Sequence, residues 1–398
     1  MTHHKILIIG GGNAGISVAA KLLLKQKGLD IAIIEPSDKH YYQPAWTLVG
    51  GGTFKLEDTI RNEADVMPKG VKWIKDAADT FQPEQNTVTC TSGEVYKYDY
   101  LIVAPGIQLN WGAVKGLKET IGKNHVTSNY SVKYASYTWE CIQAMKPGMT
   151  AIFTAPSTAL KCGGAPQKIM YLAGDYYLQN GLKGKVKVDF STAGKVIFGI
   201  KKYADQLNKI IDKYQIETNF RHDLIAVDGE KKIATFLVTD ETGATHEEEK
   251  HFDMIHVTPP QSAPDFIRNS PLVDAAGWVD VDKFTLQHKK YSNIFSLGDV
   301  TNTPNAKTGA AVRKQAPVLV TNLFALMNGK ELSGKYTGYG SCPIVVGYGR
   351  LILAEFGYDN APMETFPFDQ TKPRWSMWVL KRYILPWMYW NKILKGTA

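Results

Sequence analysis

The opening of the chain constrains it most. A short apolar run, Lys5 to Ile9, leads into Gly10-Gly11-Gly12-Asn13-Ala14-Gly15, and Ile16 to Leu24 then has helical composition. A second apolar run, Asp30 to Ile34, ends at Glu35. Buried strand, glycine turn, helix, strand and acid at this spacing form a dinucleotide-binding unit. Gly10 permits the tight turn. Gly12 lets the backbone approach a pyrophosphate, with Asn13 and Ala14 opening the helix whose N-terminus favours an anion. Gly15 lets helix and strand pack closely. Glu35 would accept hydrogen bonds from a ribose hydroxyl, and its charge disfavours a 2′-phosphate.

Two later segments extend this reading. Tyr291 to Asp299 is a short strand ending in Gly298-Asp299, and Tyr100-Leu-Ile-Val-Ala104-Pro105-Gly106 is another apolar strand closed by a turn. Both resemble strand-end motifs of the two-dinucleotide-fold flavoproteins, with Pro105 where that superfamily carries Thr. The resemblance implies FAD, bound in an extended form, with Asp299 meeting the ribityl chain. Lys307 and the helix beginning near Thr308 are candidates to stabilise negative charge on the reduced flavin.

A chain of 398 residues exceeds one ordinary core. The expected architecture is α/β: two Rossmann-like domains with a C-terminal amphipathic, membrane-binding region. Residues 1–109 form the first part of the FAD domain, with a small β-meander over Val71 to Tyr100. Residues 110–290 form a second Rossmann-like domain, 291–330 the second part of the FAD domain, and 331–398 the C-terminal region with quinone-site and membrane-anchoring segments. The net charge of +8 favours anionic partners, but no Lys/Arg-rich cluster points to nucleic acid. A strand starting near Lys5 leaves no room for a signal peptide. No run of 18 apolar residues offers a bilayer-spanning helix.

The second unit repeats strand, helix, strand from Thr150, but its first turn reads Ala155-Pro-Ser-Thr-Ala-Leu-Lys-Cys-Gly-Gly-Ala-Pro166. It lacks the glycine motif that would receive a nicotinamide dinucleotide, so electrons are expected from another donor. Of the four cysteines, Cys90 falls on a meander strand and Cys141 in a helix, where inert packing is expected. Cys162 lies beside Lys161, just before a helix N-terminus, and both features favour a thiolate. Cys342 lies in Gly338-Tyr-Gly-Ser-Cys-Pro343, read as a loop, and is a candidate partner for Cys162. No CxxC or other metal-type spacing exists, so no metal site is expected.

Two dinucleotide units, Lys161-Cys-Gly-Gly-Ala-Pro-Gln-Lys168 and Tyr339-Gly-Ser-Cys-Pro343 together resemble sulfide:quinone oxidoreductases over nearly the whole chain, closest to the two-cysteine, mitochondrial-like type. The resemblance implies hydrogen sulfide as donor, a Cys162/Cys342 redox pair, two-electron reduction of FAD and a membrane quinone as acceptor. On that reading Cys162 faces the flavin and Cys342 carries a persulfide. Sulfane sulfur leaves as polysulfide or on an acceptor such as glutathione or sulfite. The alternative is a type II NADH:quinone oxidoreductase, which needs a nucleotide turn but no cysteines. A flavin-binding scaffold without turnover is a second rival. The oligomeric state is left open, a homo-oligomer included.

The segment Arg374 to Lys395 holds four Trp, two Tyr and five basic residues and no acid. Met377, Leu380, Ile384 and Trp387 recur at helical spacing, with a kink expected at Pro386. Trp and Tyr favour the headgroup zone, and basic side chains attract anionic lipid by about 1 kcal/mol each. The expected role is an in-plane anchor on the lipid surface of an inner or cytoplasmic membrane, with Arg374, Lys381, Arg382, Lys392 and Lys395 as cationic heads. Val345, Val346, Tyr348, Phe356 and Phe366 are candidates to line a quinone site.

Overall fold

Strand β1 (Thr2–Ile9) lies in the middle of a seven-stranded sheet in the computed structural model, which describes residues 1–398. Helix α1 (Asn13–Lys25) returns the chain to β2 (Ile31–Ile34), which pairs in parallel with β1, Ile6 opposite Ile31. Ile6, Leu7, Ile8, Ala32 and Ile33 are fully buried, as strands covered on both faces require. The run Val71–Ile74 (β3) adds to the parallel sheet beside β2, rather than opening the meander. The antiparallel part is confined to β4 (Ala78–Gln82), β5 (Thr87–Cys90) and β6 (Val95–Val103). The outer edge of β6 then takes the short strand Ile294–Ser296 in parallel, which brings Gly298-Asp299 back to the first unit.

The second sheet is parallel throughout. It contains β7 (Thr150–Ala155), β8 (Lys187–Thr192), β9 (Ile216–Phe220), β10 (Met254–His256) and the short strand Val126–Thr127. Helix α2 (Ala165–Gln179) follows β7, and α3 (Lys201–Tyr214) follows β8. The stretch from Ala263 to Val281, assigned by sequence to the second unit, packs with the first: Ala263, Ile267, Leu272, Val279 and Val281 share a core with Leu7, Ile34 and Val103.

Helix α4 (Gly309–Met327) packs on α1, with Val18 and Leu22 in one core with Val312, Leu319 and Leu323. Beyond it, β11 (Gly340–Gly347) and β12 (Arg350–Phe356) form an antiparallel hairpin, Cys342 opposite Ala354. Cys342 therefore stands on a strand and not on the loop expected from its Gly and Pro neighbours. A two-stranded ribbon consists only of edges, where Gly340 and Pro343 are tolerated.

The C-terminal segment stays helical from Trp375 to Ile393 without a break at Pro386. Its turns widen over 380–384 and 389–393. Wider turns absorb a residue that lacks an N–H. The expected apolar face divides. Met377 packs inward with Trp378, whereas Ile384 and Trp387 are 45% and 54% exposed. Lys381 also points inward, 4% exposed, and is not a cationic head for lipid. No helix is long and apolar enough to cross a membrane.

Candidate active site

The first glycine turn has the form the sequence demands. Gly10 sits at φ +99°, where a Cβ would lie 2.5 Å from the Ala104 carbonyl oxygen and 2.8 Å from the Pro105 Cα. A Cβ on Gly15 would lie 1.9 Å from the Gly10 oxygen, so only glycine lets α1 seat against the turn. Gly12 faces open space, and the first turn of α1, with Asn13 and Ala14, carries neither an acid nor a side-chain cap. Its free N–H groups are left for an anion. The Glu35 carboxylate accepts from the Gly11 and Ser37 amides at 2.8 and 2.7 Å. Burial raises its pKa and those amides oppose the rise. These residues fit the pyrophosphate and ribose of FAD.

Gly106 takes φ +79° and Gly298 φ +80°, closing the two strand ends that flank the turn. The Gly298 amide donates to Gln315 Oε1 at 2.9 Å. Asp299 stands between the charges of Lys307 and Lys161, and burial raises its carboxyl pKa against both. The Lys307 ammonium donates to the carbonyls of Asp299 and Thr301 at 2.7 and 2.8 Å, and lies 3.9 Å from the Trp278 ring centre. Burial pushes it down to about 8. In this structure it organises the loop that presents Asp299.

The second unit uses the same place in its fold differently. After β7, Pro156 to Gly164 form a long loop before α2, and the Cys162 amide donates to the Lys307 carbonyl at 2.7 Å. This bond ties the loop to the FAD domain. Cys162 takes φ +55°, a conformation uncommon for a side chain with a Cβ and one that clusters at functional sites. Its Sγ lies 3.4 Å from Sγ of Cys342, and both are free thiols. Gly164 makes the approach feasible: a Cβ there would sit 2.5 Å from the Cys342 sulfur.

The cation at the sulfurs is Lys168, not Lys161. Lys168 Nζ donates to Cys162 Sγ at 2.9 Å. The Lys161 ammonium turns away to Gln43 Oε1 at 2.6 Å, and burial pushes it down to about 8. The bond from Cys342 holds the Cys162 thiol well below the usual range, and the Lys168 charge adds to it against burial. Cys342 is raised, first by that same bond and then by burial. Burial alone would lower Lys168, but the charges of the two sulfurs outweigh it. Lys381, from the C-terminal helix, donates to the Pro44 carbonyl at 2.8 Å. Burial, with Lys168 nearby, pushes it down to about 7.

Sequence reasoning did not place Lys168 or Lys381 beside the sulfurs. Lys168 had a signal, since the first turns of a helix after a reactive cysteine point back along its N-terminal side. Lys381 had none, because a lysine in a basic helix reads as exposed. Also unforeseen was a cavity of about 250 Å³ that reaches Cys342 between Gly163, Gly164, Phe198, Asn305, Lys307 and Phe356. Cys90 and Cys141 are buried, and burial pushes each thiol up to about 12. Val345 and Val346 are fully buried, Tyr348 is half-buried with its hydroxyl on the Gly51 carbonyl, and Phe366 stacks on Phe368.

Two dinucleotide-type units with a cysteine pair held between them define a flavoprotein of the disulfide-oxidoreductase class. Consistent with this, residues 4–139 match the family described as "Pyridine nucleotide-disulphide oxidoreductase". The mitochondrial sulfide:quinone oxidoreductase of Dictyostelium discoideum is 50% identical over 395 residues, 98% of this chain and 86% of that protein. The chain belongs to the sulfide:quinone oxidoreductase family, whose members depend on FAD. The crystal structure of the Aquifex aeolicus sulfide:quinone oxidoreductase has the same fold, with a TM-score of 0.78 at 20% identity, covering 100% of this chain and 93% of that one. Similarity to the type II NADH:quinone oxidoreductase of Staphylococcus haemolyticus spans 29% of each chain, at 29% identity.

Proposed function

We propose that this enzyme oxidises hydrogen sulfide at the Cys162–Cys342 pair and delivers two electrons through FAD to a quinone. The observation that carries the reading is the sulfur pair itself, 3.4 Å apart with the Lys168 ammonium on Cys162. That spacing closes to a disulfide with a small movement. It also suits a bridging sulfur, since two S–S bonds of about 2.05 Å at an ordinary bond angle span about 3.3 Å. Hydrosulfide attacks the Cys342 sulfur of the oxidised pair. The new S–S bond leaves a persulfide on Cys342, and the old bond breaks to release Cys162 as thiolate. Lys168 stabilises that thiolate, the better leaving group of the two by its depressed pKa.

FAD supplies a two-electron relay from the cysteine pair to the quinone. Gly10, Gly12, Asn13, Ala14, Gly15 and Glu35 would hold its nucleotide half, and Ala104, Pro105, Gly106, Gly298 and Asp299 would flank its reactive half. Lys307 positions Asp299. The cavity at Cys342 gives a sulfur acceptor, such as glutathione or sulfite, access to the persulfide. A nucleophile there takes the outer sulfur and returns Cys342 as thiolate.

The protein sits peripherally on a membrane. Trp375, Tyr383, Ile384 and Trp387 project from the C-terminal helix, 70%, 60%, 45% and 54% exposed, with Lys392 and Lys395 also exposed. Large exposed apolar side chains beside basic ones suit the headgroup zone. The inward side of the same helix carries Trp378 and Lys381 to the protein, so the anchor and the sulfur site share one element. Sulfide-dependent reduction of a soluble quinone tests the reading. Loss in both Cys162→Ser and Cys342→Ser supports it, and retention in either removes the paired mechanism.

A further inference from the structure

Glu63 is an acid that neither the sulfur chemistry nor the glycine motif uses. It is 2% exposed, and its Oε1 has no hydrogen-bond partner. That oxygen lies against the glycine turn: a Cβ on Gly11 would sit 2.6 Å from it and 2.7 Å from Glu35 Cγ. The half-buried Glu35 carboxylate and the buried Glu63 carboxylate thus converge on the place where the sequence motif puts the adenosine ribose. An unpaired buried carboxylate oxygen is costly unless a donor fills the site. A ribose is a vicinal diol and brings two neighbouring O–H donors. Glu35 already holds two backbone amides, whereas Glu63 Oε1 is unspent.

The other oxygen of Glu63 leads elsewhere. Glu63 Oε2 lies 3.1 Å from His40 Nδ1, and His40 Nε2 lies 2.6 Å from the Tyr389 hydroxyl. A carboxylate only accepts, so Nδ1 carries the proton, and Nε2 of a neutral ring then accepts from Tyr389. Tyr389 belongs to the C-terminal helix. It packs on Tyr42 at a ring separation of 4.7 Å and shares a core with Ile16 of α1. The Lys21 ammonium of α1 donates to the Gly396 carbonyl at 3.0 Å. The C-terminal segment is therefore docked on the helix whose N-terminus faces the cofactor.

We propose that Glu63 is a second ribose-binding residue for FAD, and that His40 links it to Tyr389, so that cofactor binding and docking of the C-terminal segment reinforce each other. Such a linkage is reciprocal in affinity. A docked tail fixes His40 and aims Glu63, and a bound ribose fixes Glu63 and strengthens the tail's attachment.

The test measures dissociation constants for FAD and for its 2′-deoxy- and 3′-deoxyadenosine analogues, in wild type and Glu63→Gln. The variant keeps the shape and removes the charge. FAD affinity is expected to fall about tenfold, the scale of a hydrogen bond to a charged group. For one of the two deoxy analogues the same substitution is expected to cost nothing further. An equal loss for FAD and both analogues would make Glu63 a scaffold residue and overturn the ribose contact. Tyr389→Phe tests the link by a second route. FAD binding is expected to weaken several-fold, and proteolysis within 375–398 to quicken without FAD and slow again when FAD saturates. Unchanged FAD affinity in Tyr389→Phe, or proteolysis indifferent to FAD, would overturn the linkage. None of these readouts depends on sulfide turnover.

Discussion

The turns after β1 and β7 occupy the same position in two similar units and are built differently. The first is as tight as a chain can be: Gly10 and Gly15 leave no room for a Cβ, and the N-terminus of α1 is bare for a phosphate. The second is a loop of nine residues, 156–164, that carries a cysteine across to the FAD domain, fastened by the Cys162–Lys307 backbone bond. A sheet that ends at a helix N-terminus supplies a positive end in either case. In the first unit the glycines are proposed to give that position to a pyrophosphate. In the second, Cys162, with Gly164 and Lys168, is proposed to give it to a thiolate. On the proposed reading, one fold position serves the FAD pyrophosphate in the first unit and the sulfide-oxidising thiolate in the second.

The contrast can be broken most severely at the sulfurs. Cys162→Ser and Cys342→Ser should each reduce sulfide-dependent quinone reduction by at least a thousandfold, while FAD content, read by absorbance after gel filtration, stays at wild-type level. Gly164→Ala comes next, because its methyl would lie within 2.5 Å of the Cys342 sulfur. It should cost about a hundredfold in turnover, measured in the same assay, by driving the two sulfurs apart. Lys168→Met sharpens the electrostatic side. Removing the cation disfavours the thiolate, so the midpoint for alkylation of Cys162 moves to higher pH and the rate at neutral pH falls about tenfold. Alkylation followed by mass spectrometry of the Cys162 peptide across pH reads this directly. The smallest effect belongs to the outer helix face. Trp387→Ser should weaken vesicle binding several-fold in a sedimentation assay and leave activity with a soluble quinone unaltered.

The two turns were also unequally legible. The first could be read residue by residue, because each glycine there answers a local steric demand that survives in the string of letters. The identity of the cysteine pair was legible through the motifs around Cys162 and Cys342, but the contact joins positions 180 apart, and no local pattern encodes it. Lys168 could have been anticipated from helical direction; Lys161, its neighbour in sequence to the cysteine, drew attention by adjacency and turns to Gln43 instead. The C-terminal helix misled more. Its apolar periodicity is real, but the helix has two apolar faces, one against Leu48 and Leu353 and one in the open, and wider turns rotate the second away from a regular 3.6-residue register. Lys381, buried in such a basic segment, is a tertiary fact. So is the placement of Ala263 to Val281, which follows the second unit in sequence and the first in packing.

Sulfide, and not a nicotinamide, is the proposed electron donor. The most direct measurement is the visible absorbance of the enzyme-bound flavin under anaerobic conditions, with sulfide and NADH added separately to the wild-type holoenzyme. Prompt bleaching by sulfide and none by NADH is the expected result. Bleaching by NADH with an unreduced flavin in sulfide would contradict it and return the second turn to nucleotide binding.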